Sequence, residues 1–508
     1  MMKMILWLHR YLAVAVGILM TLWCVSGFVM MYQGFPAISR AEQLNGLAPL
    51  DLSNCCRLNA IDPSAEGQDF RIEMLLDRPV MRLRERTLDL TTGRDIPVLD
   101  EPDIEQIARN WADGNQVDVV DLQGDVIDVD VDVDVIDVDQ WTIQTASRNA
   151  PVSHIHFNDA GGTEIYVNGT TGEVFQKTTT MVRFWSWLGA VPHWIYPTTL
   201  RQNGALWVEV VIWTSVAGTF LTLTGIYVGI KRYRWRPKRL GTEKRLNNTN
   251  SDNGNVRSPY KGLWYWHHIL GLVFGVLTLT WVFSGLLTMN PWGWLSSPRD
   301  SISQEMQGSF SWGDTQAFLQ SLTGEQRDNS LLQQDIRQLA SSTFNNKLSV
   351  LAYDASGEQV SRLDRAARAD APLSVTEVRE RLAALGINDA GVELMTEEDL
   401  YYYEHKTPID LPVIKTSIDE GARVLYVQPD SGRIQVVNDA RRLSRWTRIG
   451  MHRLDYPGLK SRPVWDVLVI VLLFGVTCLV ATGTWMSFRR IRQDTRRMFR
   501  KRKARQAS

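Results

Sequence analysis

Only eight histidines occur in 508 residues, at positions 9, 154, 156, 193, 267, 268, 405 and 452. Four of them stand at the edges of long apolar runs: His9 and His267 where two runs begin, His193 and His452 shortly before two others. A neutral imidazole offers a ligating nitrogen, and two facing imidazoles can fill both axial positions of a haem iron. A lone histidine at a helix end is ordinarily an interfacial polar residue. Two pairs related by an internal repeat are different, because a twofold brings equivalent rings toward one axis. The pattern therefore predicts two haem b groups, with His9 and His267 as cofactor and metal ligands at one level and His193 and His452 at the other.

Four runs must position these rings, namely 11–32, 210–230, 269–289 and 467–488. Each is free of formal charge and meets the roughly 20 residues that a bilayer crossing needs. The first is too long for a signal-peptide apolar region and lacks a clear cleavage site after it, so it reads as a retained span. The segments KRYRWRPKRLGTEKR and RRIRQDTRRMFRKRKAR follow the second and fourth spans. This Lys/Arg bias predicts a multi-pass membrane protein with both termini cytoplasmic, the far side being periplasmic if the membrane is a Gram-negative inner membrane. The predicted order is first span 1–32, periplasmic region 33–205, second span 206–230, cytoplasmic loop 231–262, third span 263–289, periplasmic region 290–464, fourth span 465–488 and basic tail 489–508. Lys and Arg number 55 against 56 Asp and Glu, so no overall charge attracts nucleic acid. Four cysteines exclude a disulfide scaffold. Mean hydropathy is −0.17, an average that hides the four spans.

The halves repeat. LHRYLAVAVGILMTLWCVSGFVMM lies over WHHILGLVFGVLTLTWVFSGLLTM, which places His9 on His267, Trp23 on Trp281 and Ser26-Gly27 on Ser284-Gly285. Trp207 falls on Trp465 and Thr224-Gly225 on Thr482-Gly483, while His193 matches His452 one residue out of step. IYVNGTTGEVF matches LYVQPDSGRIQ. The expected fold is an integral membrane four-helix bundle with two periplasmic α+β regions, built by internal duplication. Gly27 and Gly285 follow His9 and His267 by about five helical turns, on the same face. They are expected at the level of His193 and His452, with Gly225 and Gly483 at the level of His9 and His267, each glycine clearing room for haem. His268 is turned about 100° from His267 and aligns with Arg10, so His267 is preferred as ligand and His268 is left to a propionate or a headgroup.

The external regions alternate strands such as TEIYVNGTTGEVFQ with helices such as DIEQIARNWAD and VTEVRERLAALG. His154 and His156 share one face of a predicted strand in SHIHF. A half-exposed strand face accounts for them, with a two-histidine metal or substrate site as the alternative. Asp128, Asp130, Asp132 and Asp134 alternate with apolar residues, which predicts a strand with one acidic face, in a tract read as a solvated low-complexity expansion rather than a cation attractor. Cys55-Cys56 is an adjacent pair, a weak redox signal. Trp185, Trp187, Trp194, Tyr196, Trp292 and Trp294 read as an interfacial belt.

At the apolar runs, at GAVPHWIYPTTLR and at MHRLDYPGLKSRPVWDVLVIVLLFGVTCLVATGTWMSFRR, the sequence resembles the PepSY-associated transmembrane family. Within it the chain is most similar to inner-membrane ferric-siderophore reductases, which have four spans, periplasmic PepSY-type domains and b-type haems. The resemblance covers nearly the whole chain. It implies an oxidoreductase passing electrons to ferric siderophores in the periplasm, with His9, His193, His267 and His452 as haem ligands. The cytoplasmic parts are too short for a flavin or nicotinamide domain, so the expected donor is quinol or a separate cytoplasmic reductase. The partners are then a ferric siderophore and the lipid bilayer, with no nucleic acid. Competing expectations are a membrane-anchored PepSY binding or inhibitory module without redox chemistry, a quinone-linked cytochrome b and, last, a siderophore transporter.

Overall fold

The computed structural model describes residues 2–53, 55–58, 62–84, 86–117, 131–136, 138–145, 151–235, 257–296, 300–323, 335–404 and 409–506. The chain forms two compact units. One comprises Met1–Phe35, Trp185–Ser296 and Leu443–Ser508, the other Pro36–Phe184 and Ser297–Arg442.

The first unit is built on four long helices, Met2–Met30, Gly204–Arg232, Leu263–Thr288 and Val464–Gln506. All four are long and apolar enough to cross a membrane. The shortest has 26 residues, which at about 1.5 Å per residue exceeds a hydrocarbon core of about 30 Å. The helices outrun the apolar segments. Lys3, His9 and Arg10 lower hydropathy without breaking a helix, so the first begins at Met2. Arg and Lys are good helix formers, and the fourth continues through the basic tail to Gln506. The first and third helices each pack on both the second and the fourth, so they face each other across the diagonal of a bundle. Ala13, Val16, Met20, Leu221, Val476 and Val480 fill its centre. Phe220, Val273, Val276 and Phe474 point outward, the exposed apolar surface that lipid would cover. Gly17 permits one close approach, since a Cβ there would lie 2.6 Å from Thr484 Oγ1.

The second unit is α+β. Its strands, in chain order, are β1 (Arg71–Leu75), β2 (Arg78–Arg82), β3 (Thr87–Asp89), β4 (Arg94–Asp95), β5 (Val131–Ile136), β6 (Val152–Phe157), β7 (Glu164–Asn168) and β8 (Val174–Thr178). After the second and third long helices come β9 (Ile336–Phe344), β10 (Lys347–Asp354), β11 (Gln359–Leu363), β12 (Gly391–Met395), β13 (Val413–Ile418), β14 (Arg423–Val427) and β15 (Ile434–Val437). Two four-stranded antiparallel meanders run β5-β6-β7-β8 and β12-β13-β14-β15. Each is preceded by a helix that the sequence periodicity predicts. Asp100 and Asp103 make the capping box of Glu101–Gly114, and Ser374 and Glu377 that of Val375–Ala384. Ile104, Ile107, Ala108 and Trp111 line one face of the first helix and pack on Ile155, Ile165 and Val167. Val378 and Leu382 of the second pack on Ile414, Leu425 and Val427.

Strands from the segment between the first two long helices and from the segment between the last two share a third sheet, ordered β11-β10-β9-β1-β2-β3-β4. The boundaries at 33–205 and 290–464 therefore describe the chain's path rather than two separate bodies. Backbone pairing of β1 with β9 joins the segments, and no sequence pattern announces which strands will meet. Of the acidic tract, Asp128 and Asp130 lie outside the described residues. Residues 131–136 form β5, an edge strand, as their alternation predicts. Cys55 and Cys56 are bonded to each other and pack against the core of the seven-stranded sheet.

The β1–β9 seam carries a buried polar chain. Arg82 donates to Glu73, Gln338 Nε2 donates to Glu73 Oε2 at 2.6 Å, and Arg40 donates to Gln338 Oε1 at 2.9 Å. Burial pushes the Glu73 carboxyl up, but Arg82 and Arg71 outweigh it and hold the group below the usual carboxylate range. Arg82→Met should strand a buried carboxylate and cost about 3–5 kcal/mol, measurable as faster hydrogen exchange in β1, β2 and β9. Because the folded-state pKa of Glu73 is depressed, its contribution is present above the ordinary carboxylate pKa and lost as pH falls through the lower folded value. A chain carrying Glu73→Gln and Arg82→Met together lacks this titration, so the stability of the sheet, followed by the same exchange measurement, should fall less steeply with acid in the double variant than in the wild type.

Candidate functional site

The bundle brings the four repeat-related histidines together as two pairs. The His9 and His267 ring centres are 6.5 Å apart, and those of His193 and His452 are 6.2 Å apart. Two imidazoles on opposite sides of one metal ion, each nitrogen about 2 Å from it, place their ring centres about 6 Å apart. Both pairs fit that spacing. None of the four side chains is fully enclosed by protein atoms.

Their hydrogen bonds decide which ring nitrogen carries the proton. His9 Nδ1 lies 3.0 Å from the Leu221 carbonyl and 3.2 Å from Thr224 Oγ1. His267 Nδ1 lies 3.2 Å from the Leu479 carbonyl and 3.3 Å from Thr482 Oγ1. A carbonyl only accepts, so Nδ1 carries the proton and Nε2 keeps its lone pair. His193 Nδ1 is 3.1 Å from Ser26 Oγ, and His452 Nδ1 is 3.1 Å from Ser284 Oγ. Those hydroxyls donate their single protons to the Trp23 and Trp281 carbonyls, so they too accept from Nδ1–H. All four rings are thus held in the tautomer that presents Nε2. Burial and the facing His452 ring push His193 down to about 4, and burial pushes His452 below its ordinary value.

The glycines work differently from the sequence expectation. A Cβ on Gly225 would lie 2.8 Å from His9 Cε1, and one on Gly483 would lie 2.7 Å from His267 Cε1. These glycines make room for the imidazoles themselves. Gly285 stands 3.5 Å from His452 by the same measure, whereas Gly27 faces Leu473 rather than His193. The residue before each of these glycines, Ser26, Thr224, Ser284 or Thr482, is the one that orients a ring. The sequence repeat displays these hydroxyl-glycine dipeptides, yet only the fold shows that the hydroxyls hold imidazoles.

His268 is corrected outright. It meets neither a propionate nor a headgroup in its hydrogen bonding, because Nδ1 is 2.8 Å from Ser258 Oγ and Nε2 is 2.9 Å from the Gly229 carbonyl. The buried ring ties the third helix to the second and has no nitrogen to spare. Tyr196 also leaves the expected belt: it is buried in edge contact with Phe35, Trp194 and Trp207. Trp185, Trp187, Trp292 and Trp294 are exposed. The Trp281 indole N–H is buried with no acceptor among the described residues, as a bundle that holds a further polar group would leave it.

The geometry separates the roles of the glycines. Gly225→Ala and Gly483→Ala should displace the His9–His267 pair and lower the thermal unfolding temperature of the bundle, whereas Gly285→Ala should be tolerated. His268→Ala should destabilise the bundle by about 1–3 kcal/mol by removing the bonds its ring makes to Ser258 and Gly229, seen in thermal unfolding.

No curated protein and no solved structure gives a significant match to the chain. The family model of the PepSY-associated TM region matches residues 6–490, which covers both histidine pairs and reaches into all four long helices. Over that span the chain belongs to the PepSY-associated transmembrane family.

Proposed function

We propose that this membrane protein is a di-haem b electron-transfer protein of the bacterial inner membrane that reduces ferric siderophore iron in the periplasm and releases Fe(II). The observation that carries the reading is the two imidazole pairs, each at ligation spacing and each with Nε2 presented by an Nδ1–H bond. A haem with both axial positions taken by imidazole supplies one-electron, outer-sphere transfer rather than oxygen activation. His9 and His267 would hold one group, His193 and His452 the other. Thr224, Thr482, Ser26 and Ser284 orient those ligands, the supporting role that fixes ring direction and ligand basicity.

The two levels suit transfer across a membrane. His9 and Ser26 both lie on the first helix, 17 residues apart, which is about 25 Å along its axis. The Lys/Arg bias puts the His9–His267 level on the cytoplasmic side, facing quinol or a separate reductase. It puts the His193–His452 level on the opposite, periplasmic side. Ferric iron is held by hard oxygen ligands that bind Fe(II) less tightly, so adding one electron favours release. An origin by duplication is supported by the contacts themselves: His9 to Thr224 and His267 to Thr482 span the same sequence separation of 215. A PepSY binding or inhibitory module would need no such imidazole pairs.

A pyridine haemochrome assay on purified protein should give two b-type haems per chain, with one lost in His193→Ala or His452→Ala and the other in His9→Ala or His267→Ala. One haem or none in the wild type would sink the two-level assignment. For the substrate, protein reduced under anaerobic conditions should reoxidise rapidly on addition of a ferric siderophore, matched by ferrous chelate formation. Reoxidation by quinone alone would make it a quinone-linked cytochrome instead.

A further inference from the structure

The α+β unit holds a second group of metal-ligating side chains, distinct from the helix bundle. His154 and His156 of β6 and Glu164 of β7 bring their donor atoms within 4.8 Å of one another. His154 Nε2 is 3.1 Å from Glu164 Oε2, and His156 Nδ1 is 3.5 Å from Glu164 Oε1. Donors on one ion at bond lengths of about 2.1 Å lie within about 4 Å of each other, so small rotamer changes suffice. The pairing register explains the convergence. His156 is directly opposite Glu164, and His154 directly opposite Tyr166, on one face of the sheet. The opposite face carries Ile155, Ile165 and Val167 into the core.

Neighbouring groups hold the donors in place. Tyr166 stacks on His154 with ring centres 4.2 Å apart, and its hydroxyl donates to Asp139 Oδ2 at 2.7 Å. Arg183 Nη1 sits 3.1 Å from Glu164 Oε1, and Thr178 Oγ1 donates to Glu164 Oε2 at 3.3 Å. Burial pushes the Glu164 carboxyl up, but His154 and Arg183 keep it below its usual value and ionised. A carboxylate oriented by outer partners is the ordinary condition of a metal ligand. On the other flank, edge strand β5 places exposed Asp134 opposite His154.

The second meander shows that the fold does not require these donors. There Lys415 is opposite Tyr426 as His154 is opposite Tyr166, and Ser417 is opposite Val424 as His156 is opposite Glu164. The tyrosine–aspartate bond recurs, with Tyr426 donating to Asp399 at 2.8 Å. The structural pair is kept while all three donors are replaced by residues that make no such site.

We propose that His154, His156 and Glu164 bind one divalent first-row transition ion. Two imidazoles and one carboxylate with remaining positions open form the donor set of non-haem ferrous centres. The choice of ferrous iron as that ion rests on the proposed reductase function, which produces it on this side; the site itself does not.

The test uses full-length protein in detergent, purified through a tag without histidine. Anaerobic titrations with Fe2+ and with Co2+, whose visible bands report nitrogen and oxygen coordination, should show one ion per chain lost at least tenfold in affinity in His154→Ala, His156→Ala and Glu164→Gln. His156→Asp, which restores a donor, should bind more tightly than His156→Ala, a rescue that a purely structural role would not give. Hydrogen exchange in β6 and β7 identifies any variant that fails to fold, and His156 is the most exposed of the three, so its variants keep the test decisive. Equal binding in wild type and variants, or none in either, overturns the site. Co2+ binding without Fe2+ binding overturns the ferrous assignment. Haem content of the same preparations is read separately, so loss of the reductase reading leaves the ion stoichiometry interpretable.

Discussion

The helix bundle depends on one repeated interaction, the bond from an imidazole Nδ1–H to an acceptor on the neighbouring helix. An imidazole left free among apolar helices would flip between tautomers and rotamers, and its ligating nitrogen would have no fixed direction. Here the Leu221 and Leu479 carbonyls and the Ser26 and Ser284 hydroxyls each take one Nδ1–H. Threonine and serine serve because their own protons are committed to helical carbonyls three or four residues back. The outcome is four rings aimed in pairs from helices that pack chiefly through apolar side chains.

That interaction dictates the packing around it. The first and third helices must face across the diagonal for His9 and His267 to meet, and the second and fourth must present glycine where those rings pass. Thr224-Gly225 and Thr482-Gly483 satisfy both needs with adjacent residues, one accepting the proton and one yielding the space. The other level is looser. His193 and His452 come from short helical segments, Ala190–Trp194 and Met451–Arg453, and the second follows a π-helical turn over Arg445–Gly450. The departure of Gly27 toward Leu473, while Gly285 still meets His452, shows that the repeat is not kept to the last contact.

In the α+β unit the organising constraint is strand pairing between distant segments. Glu73, Arg82 and Gln338 are buried at the junction of β1, β2 and β9, and each depends on the others for its hydrogen bonds. A charge buried this way is costly if any partner is missing, so the junction favours one register of the two segments. The meanders on either side keep the same Tyr–Asp bond and diverge in what their outer faces carry, donors in one and Lys415, Ser417 and Val424 in the other.

The local periodicities settled much of this fold in advance. Apolar length decided four helices, and the 3.6-residue patterns decided Glu101–Gly114 and Val375–Ala384, because these signals are carried by neighbours in the chain. The offset of 258 residues between His9 and His267 nominated the histidine pairs, and its match at Ser26-Gly27 and Thr224-Gly225 marked the supporting residues without revealing their task. Three things waited for the tertiary structure. The role of the hydroxyls depends on which helix stands beside which. The capture of His268 by Ser258 and Gly229 depends on the angle between two helices. The meeting of Glu164 with His154 and His156 depends on strand register. Each joins residues through space rather than along the chain, and hydrogen-bond distance between such residues is set only once the backbone has packed.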